Sequence, residues 1–138
     1  MGVVVFDSDV LIGFMNPDDA HHADAVTWMR TATQPQTERW ISAVNYSELL
    51  VAPLREEKQE HVKAMIAGFS ITIATVDTGL AERAAAVRAT TNLKLPDAYA
   101  LATAIQLEHR GRTDVQLATF DKTVQNAHRT LRPRPPSR

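Results

Sequence analysis

Short apolar runs alternate with amphipathic segments along the chain. Four of these runs have the length and composition of strands: 3–6, 39–44, 71–76 and 115–120. Between and after them, apolar residues recur at helical spacing and predict helices at 21–33, 45–51, 57–68, 78–91, 96–110 and after 121. Pro53 is expected to end the second of these helices, and Thr78 to cap the fourth. The alternation predicts an α/β domain with a largely parallel sheet.

Composition narrows the class of protein. The chain has 138 residues, of which 44% are hydrophobic and 22% charged, as in a globular protein with one core. We expect one domain over 1–132 and a tail rich in Pro and Arg over 133–138. The absence of cysteine excludes disulfides, thiolate zinc sites and cysteine nucleophiles, and it fits a cytoplasmic location. No apolar stretch reaches the roughly 18 residues of a membrane span, so no membrane association is expected.

The formal net charge of −1 argues against a protein that coats nucleic acid non-specifically. It leaves room for an enzyme that engages one nucleic acid through a local patch. The sequence at 129–138, RTLRPRPPSR, is basic, and its proline content favours a solvated tail over a phosphate-binding one.

Acidic residues recur where predicted strands end and helices begin. Asp7 follows the first strand and Asp121 follows the last. Glu48 lies on the helix after the second strand, and Asp97 lies in the first turn of the helix that starts at Pro96. Because the carboxyl ends of parallel strands share one edge of a sheet, these four acids can converge there.

Converging carboxylates repel one another, and a divalent cation removes that conflict. Hard oxygen ligands suit Mg²⁺ or Mn²⁺, which can activate a water and stabilise the charge on a phosphodiester. No serine–histidine pair, glycine-rich phosphate loop or HExxH motif competes with this interpretation.

Each acid also has an explanation in local structure alone. Asp9 is placed to cap a short helix at Val10, and Glu48 can close a capping box with Asn45. Asp7 can begin the turn after the first strand, the helix dipole favours Asp97 in a first turn, and Asp121 can be the N-cap of the last helix. The convergence of all the acids on one edge favours the functional interpretation.

Four blocks in order carry a resemblance to a known family: VVVFDSDVLIGFM, ISAVNYSELLVAP, LKLPDAYALATAI and QLATFDKTV. Together they resemble the PIN domain, and within it the small VapC-type ribonuclease toxins, over nearly the whole chain. The resemblance implies a three-layer α/β/α domain whose central sheet has four to five strands.

The resemblance also implies an activity and partners. It implies an endoribonuclease that depends on Mg²⁺ or Mn²⁺, the toxin of a type II pair, which a small antitoxin holds inactive and which forms a homodimer. The catalytic metal ligands would be four acids: Asp7, Glu48, Asp97 and Asp121. Ser8 and Thr119 would support them by hydrogen bonding. Asp9 stands where the family often has Ser or Asn, and the second acid that often follows the last one is missing at Thr123 and Val124.

Two other functions compete. FDSDVLI also resembles the opening of haloacid-dehalogenase-type phosphatases, in which Asp7 would be a nucleophile and Asp9 a general acid. That family needs a later acidic pair, whereas Ala98 follows Asp97. The third possibility is a non-catalytic binding module whose acids only cap helices.

A few further residues have less specific expectations. Lys94 can meet a substrate phosphate, although an exposed lysine in a loop is the favoured explanation. His21 and His22 are expected to be solvated, and the aromatic residues Trp28, Trp40 and Phe69 are expected in the core.

Overall fold

The computed structural model describes residues 2–134. In this part of the chain four strands are formed: β1 Gly2–Phe6, β2 Thr37–Ser42, β3 Thr72–Ala74 and β4 Val115–Ala118. The same range contains seven helices: α1 Ser8–Met15, α2 His22–Ala32, α3 Ala43–Arg55, α4 Gln59–Gly68, α5 Thr78–Thr91, α6 Leu95–His109 and α7 Lys122–Leu131.

The strands form one parallel sheet in the order β3-β2-β1-β4. β1 lies inside the sheet, where Val5 is in register with Trp40 of β2 and with Leu117 of β4. A strand with neighbours on both sides and helices on both faces is apolar throughout, which explains the uninterrupted run Val3–Phe6. The parallel arrangement brings the carboxyl ends of all four strands to one edge.

Two cores flank the sheet, because successive side chains of a strand point to opposite faces. Val3 and Val5 of β1 enter a core formed with α5, α6 and α7, whereas Val4 and Phe6 enter a second core formed with α1 to α4. Helix α6 is buried along most of its length, since its alanines let it lie close to its neighbours. The predicted three-layer α/β/α domain with a parallel central sheet is confirmed.

Several predicted boundaries were wrong. β2 ends at Ser42, whose side chain caps α3, so the predicted strand over 39–44 is too long at its end. Helix α3 continues through Pro53 to Arg55, because a proline in the last turn disturbs little of the helix that precedes it. The N-cap of α5 is Asp77, whose side chain accepts the Leu80 amide, rather than Thr78.

In the range 2–134 no helix is both long and apolar enough to cross a membrane. The tail predicted over 133–138 lies largely outside the described residues. The domain boundary at 132 therefore stays a prediction.

Candidate metal centre

Asp7 lies at the centre of the site, where β1 passes into α1. It is 3% exposed and is the N-cap of α1, with Oδ1 accepting the Ser8 amide at 2.9 Å. Its Oδ2 accepts the Thr119 hydroxyl at 2.9 Å. Burial raises the pKa of Asp7 to about 7, and the charges of Asp9 and Asp97 add to this effect. A carboxyl group with this pKa is ready to exchange its proton for a cation near neutral pH.

Asp9 does not cap a helix at Val10, as its spacing had suggested, because α1 already begins at Ser8. Its Oδ2 accepts the backbone N–H of Phe120 at 2.9 Å and so joins α1 to the loop between β4 and α7. Its Oδ1 is buried and has no hydrogen-bond partner among residues 2–134. Burial raises the pKa of Asp9. One oxygen of this carboxylate is therefore structural, while the other is buried without a hydrogen-bond partner in the described part of the chain.

Glu48 is held in place by two donors. The Ser8 hydroxyl donates to its Oε1 at 2.8 Å, and Asn45 Nδ2 donates to the same oxygen at 3.1 Å. The suggested Asn45–Glu48 capping box was wrong, since the N-cap of α3 is Ser42, which accepts the Asn45 amide at 3.0 Å. Asn45 Nδ2 also donates to the Pro96 carbonyl at 3.0 Å, which links α3 to the start of α6.

Asp97 interacts electrostatically with most of the other acids. It lies in the first turn of α6 and is partly exposed. Burial raises its pKa first, and the charges of Asp121 and Glu48 raise it further. A side-chain hydrogen bond with Asp7 and the charge of Lys94 act in the opposite direction on this pKa. The four predicted acids therefore come from four segments and interact at one edge of the sheet.

Asp121 is the least buried of the four. Its side chain caps α7 by accepting the Thr123 amide at 2.8 Å, as the alternative explanation from local structure predicted. Its own N–H donates to Thr119 Oγ1 at 3.1 Å, and Thr119 in turn donates to Asp7. Thr119 thus connects Asp121 with the buried centre of the site.

The donor set fits a hard divalent cation, although it is not assembled as a complete cage. Among residues 2–134 no three His, Asp or Glu side chains lie close enough to hold an ion ready-made. The free buried oxygen of Asp9 and the carboxylate oxygens of Asp7 and Asp97 are donors of the type that Mg²⁺ and Mn²⁺ prefer. Carboxylates gathered in this way repel one another when they are ionised, and a bound cation would offset that repulsion.

Sequence reasoning missed several contacts. Asn45 was considered only as a cap, although it is fully buried and orients Glu48. The expectation of two solvated histidines was wrong for His22, whose Nδ1 lies 2.8 Å from the Gly13 carbonyl oxygen. His21 is exposed but stacks on Phe120. The sequence indicates only the contact between Asn45 and Glu48, because these residues are three positions apart in the stretch NYSE. The other contacts join segments that are farther apart in the chain.

Together, the fold and the site define a class: a three-layer domain with acids gathered at the carboxyl edge of a parallel sheet. The sequence profile of the PIN domain matches residues 4–129, which is nearly the whole chain. The chain therefore belongs to the PIN domain family, and the predicted resemblance is confirmed. A comparison with curated proteins found no match.

Solved structures show the same relationship. A toxin–antitoxin complex from Klebsiella pneumoniae contains a chain that is 27% identical, with 88% of each chain covered and a TM-score of 0.65. VapC20 from Mycobacterium tuberculosis, a toxin that cleaves the sarcin–ricin loop, is 17% identical over 91% of this chain and 95% of its own, with a TM-score of 0.69. VapBC2 from Rickettsia felis, bound to promoter DNA, is 12% identical over 86% of this chain and 99% of that one, with a TM-score of 0.56. The chain is thus similar to VapC-type toxins.

Proposed function

We propose that this protein is an endoribonuclease that depends on Mg²⁺ or Mn²⁺ and hydrolyses RNA phosphodiesters with an activated water. The observation that supports it most is the buried Asp7 carboxyl, whose pKa is raised to about 7 beside Asp9 and Asp97 on a PIN fold. A group in this setting gains most from binding a cation. Membership of the PIN family favours this function over the phosphatase alternative, and four interacting acids favour it over a passive binding module.

In this proposal four residues hold the ion: Asp7, Glu48, Asp97 and Asp121. When bound, a divalent cation activates a water and stabilises the negative charge that develops on the phosphodiester.

The other side chains keep the acids in position. Ser8 and Asn45 orient Glu48 through its Oε1. Thr119 donates to Asp7 and accepts from the Asp121 amide, so it sets the distance between these two residues. Asp9 holds the loop that carries Asp121 by accepting the amide of the residue before it.

Purified protein incubated with total RNA tests the activity. We expect cuts in Mg²⁺ or Mn²⁺ and none in chelator, and Asp97→Asn should remove them. Folded, metal-binding protein that cuts no RNA under any of these conditions would contradict the proposal.

We further propose that the protein is the toxin of a toxin–antitoxin pair. Its similarity to a chain of a toxin–antitoxin complex supports this biology. An RNA substrate and an antitoxin partner both imply that it acts in the cytoplasm. Induced expression should arrest growth of a bacterial host, whereas Asp97→Asn should not. Equal arrest by both proteins would separate toxicity from the acid site.

A surface groove supports an antitoxin partner. It has a volume of about 470 Å³ between α1 and α3. Its lining is partly apolar, with Met15 and Leu49, and partly polar or charged, with Lys58 among the charged residues. Ile12, on its wall, is 43% exposed, and Glu48 lines the same groove. Because Glu48 belongs to both the groove and the acid site, an apolar antitoxin segment seated here would block access to that site.

Co-expression with a candidate antitoxin tests this partner. We expect a stable complex in which cleavage is suppressed, and Ile12→Asp should weaken the complex while the acids stay intact. An unchanged complex would place the antitoxin elsewhere. The homodimer implied by the resemblance stays a prediction.

A further inference from the structure

His21 and Phe120 form an aromatic stack beside the acid site. Their ring centroids are 4.8 Å apart and the ring planes differ by 25°. Phe120 lies between Thr119 and Asp121 in the chain, and His21 immediately precedes α2. The stack therefore joins two segments directly at the edge of the sheet where the acids meet.

Backbone hydrogen bonds hold the two segments that carry the rings. The His21 amide donates to Asp19 Oδ1 at 2.8 Å, and the His21 carbonyl accepts the Ala25 amide at 2.9 Å. The Phe120 amide donates to Asp9 Oδ2 at 2.9 Å. The Phe120 ring lies against α1, where a Cβ added at Gly13 would be in ordinary van der Waals contact with it at 3.5 Å. The backbone on both sides of the stack is therefore ordered before a ligand binds.

The His21 imidazole has no structural bond that would explain its position. The ring is exposed and makes no hydrogen bond within the described part of the chain, in contrast to His22, which bonds the Gly13 carbonyl. Because the His21 ring stacks on Phe120 with one face and is exposed to solvent, it presents an aromatic surface at the site. Carboxylates repel a phosphate, but they tolerate the uncharged face of a nucleobase.

We infer that His21, supported by Phe120, is a stacking platform for one unpaired RNA base next to the phosphodiester that is cut. The inference rests on the proposed ribonuclease function and adds to it one contact between a side chain of this protein and a base of the substrate. Bases in single-stranded or looped RNA can unstack and pack on aromatic side chains, whereas bases inside a duplex cannot. Base–aromatic stacking contributes about 1–3 kcal/mol per base, which is roughly 5- to 150-fold in affinity.

Binding to a short fluorescein-labelled single-stranded RNA of randomised sequence tests the platform. Asp97→Asn serves as the inactive parent in Mg²⁺, and anisotropy is measured over a range of salt concentrations. His21→Ala and His21→Gln remove the ring, and His21→Phe keeps an aromatic ring that cannot be protonated. His109→Ala is the matched control, since His109 is exposed at the far end of α6.

We expect both ring-free variants to bind about ten-fold more weakly, with His21→Phe and the control close to the parent. The salt dependence should stay unchanged, and binding to a duplex of the same length should not respond to His21. Ring-free variants that bind single strands like the parent would overturn the platform alone. A His21→Phe variant that binds as weakly as His21→Ala would also overturn the platform. If the slope of log K against log salt were then smaller by about 0.7, His21 would be contacting a phosphate as a cation rather than stacking on a base. A parent that binds no RNA would overturn the proposed function as well.

Discussion

Replacing Asp7 by Asn should stabilise the metal-free protein at alkaline pH and change little at acidic pH. Burial raises the pKa of Asp7 from 3.8 to about 7, with Asp9 and Asp97 contributing. A difference of this size corresponds to on the order of 4 kcal/mol in the free energy of unfolding. The sign follows from proton linkage, because the folded protein holds this proton more tightly than the unfolded chain.

The pH window follows from the two pKa values. Below the ordinary value of 3.8 the carboxyl is protonated in both states and destabilises neither. As the pH rises from about 4 to about 7, the unfolded chain ionises first and the folded protein loses stability. Above about 7 the loss is complete. The asparagine side chain introduced by Asp7→Asn does not titrate, so the variant should lack the part of this pH dependence that Asp7 contributes, while Asp9 and Asp97 still titrate.

The substitution also perturbs hydrogen bonds, which reduces the gain. The amide oxygen can still accept the Ser8 N–H, but the amide nitrogen replaces the acceptor that Thr119 uses. One disturbed hydrogen bond costs about 1 kcal/mol. We therefore expect Asp7→Asn to gain about 3 kcal/mol at pH 8 and to lose about 1 kcal/mol at pH 4.

Urea denaturation in chelator, followed by tryptophan fluorescence, measures both values. Asp77→Asn is the matched control, because Asp77 is also a helix N-cap but is exposed, accepting the Leu80 amide at 2.8 Å. It should change stability by less than about 0.5 kcal/mol at either pH. An Asp7→Asn variant that is less stable than the parent at pH 8, or that shows the same pH profile, would refute the reasoning.

Three further outcomes follow from the contacts of the site and its neighbourhood. Mn²⁺ at about a hundred-fold excess over its Kd should raise the free energy of unfolding of the parent by about 3 kcal/mol in the same assay, and it should raise that of Asp97→Asn by less. An equal increase in Asp97→Asn would show that this acid does not bind the ion. Asp9→Ala leaves the Phe120 amide without its acceptor and should lose about 1–3 kcal/mol, whereas Asp9→Asn should lose less, and equal losses would count against this hydrogen bond. Glu108→Gln weakens the 2.9 Å contact of Glu108 with the buried His128 and should lose about 2 kcal/mol, and a neutral result would mean that this contact contributes nothing net.

Much of the fold was predictable because each strand and helix carries its own periodicity. The run Val3–Phe6 predicted a strand, and the pattern after Pro96 predicted a helix. The predicted ends of helices were wrong where two sequence signals for a helix end lay close together. Pro53 looked like a terminator, yet a proline in a last turn is tolerated by the helix. Asp7 and Asp9 both lie close to the start of the apolar helix α1, and the sequence alone does not tell which of them is the cap.

The placement of some of the acids was predictable from the sequence, but the contacts that orient them were not. Parallel topology was enough to bring Asp7 and Asp121 to one edge, because that edge collects every strand end, whereas Asp97 follows the helix α5 and its place beside them depends on how α6 packs. The contacts that orient the acids were not predictable, since they join residues far apart in the chain. Ser8 and Glu48 are 40 positions apart, and Asp9 and Phe120 are 111 apart. Such contacts depend on the packed structure rather than on any local pattern.

The most direct test of the central claim is cleavage of RNA by the wild-type protein, with the chemical ends of the products identified. We expect cuts that require Mg²⁺ or Mn²⁺ and that disappear in chelator and in Asp97→Asn. Because water is the nucleophile, the products should carry no 2′,3′-cyclic phosphate. Cuts that persist in chelator or in the variant, or products that carry the cyclic phosphate, would contradict this claim.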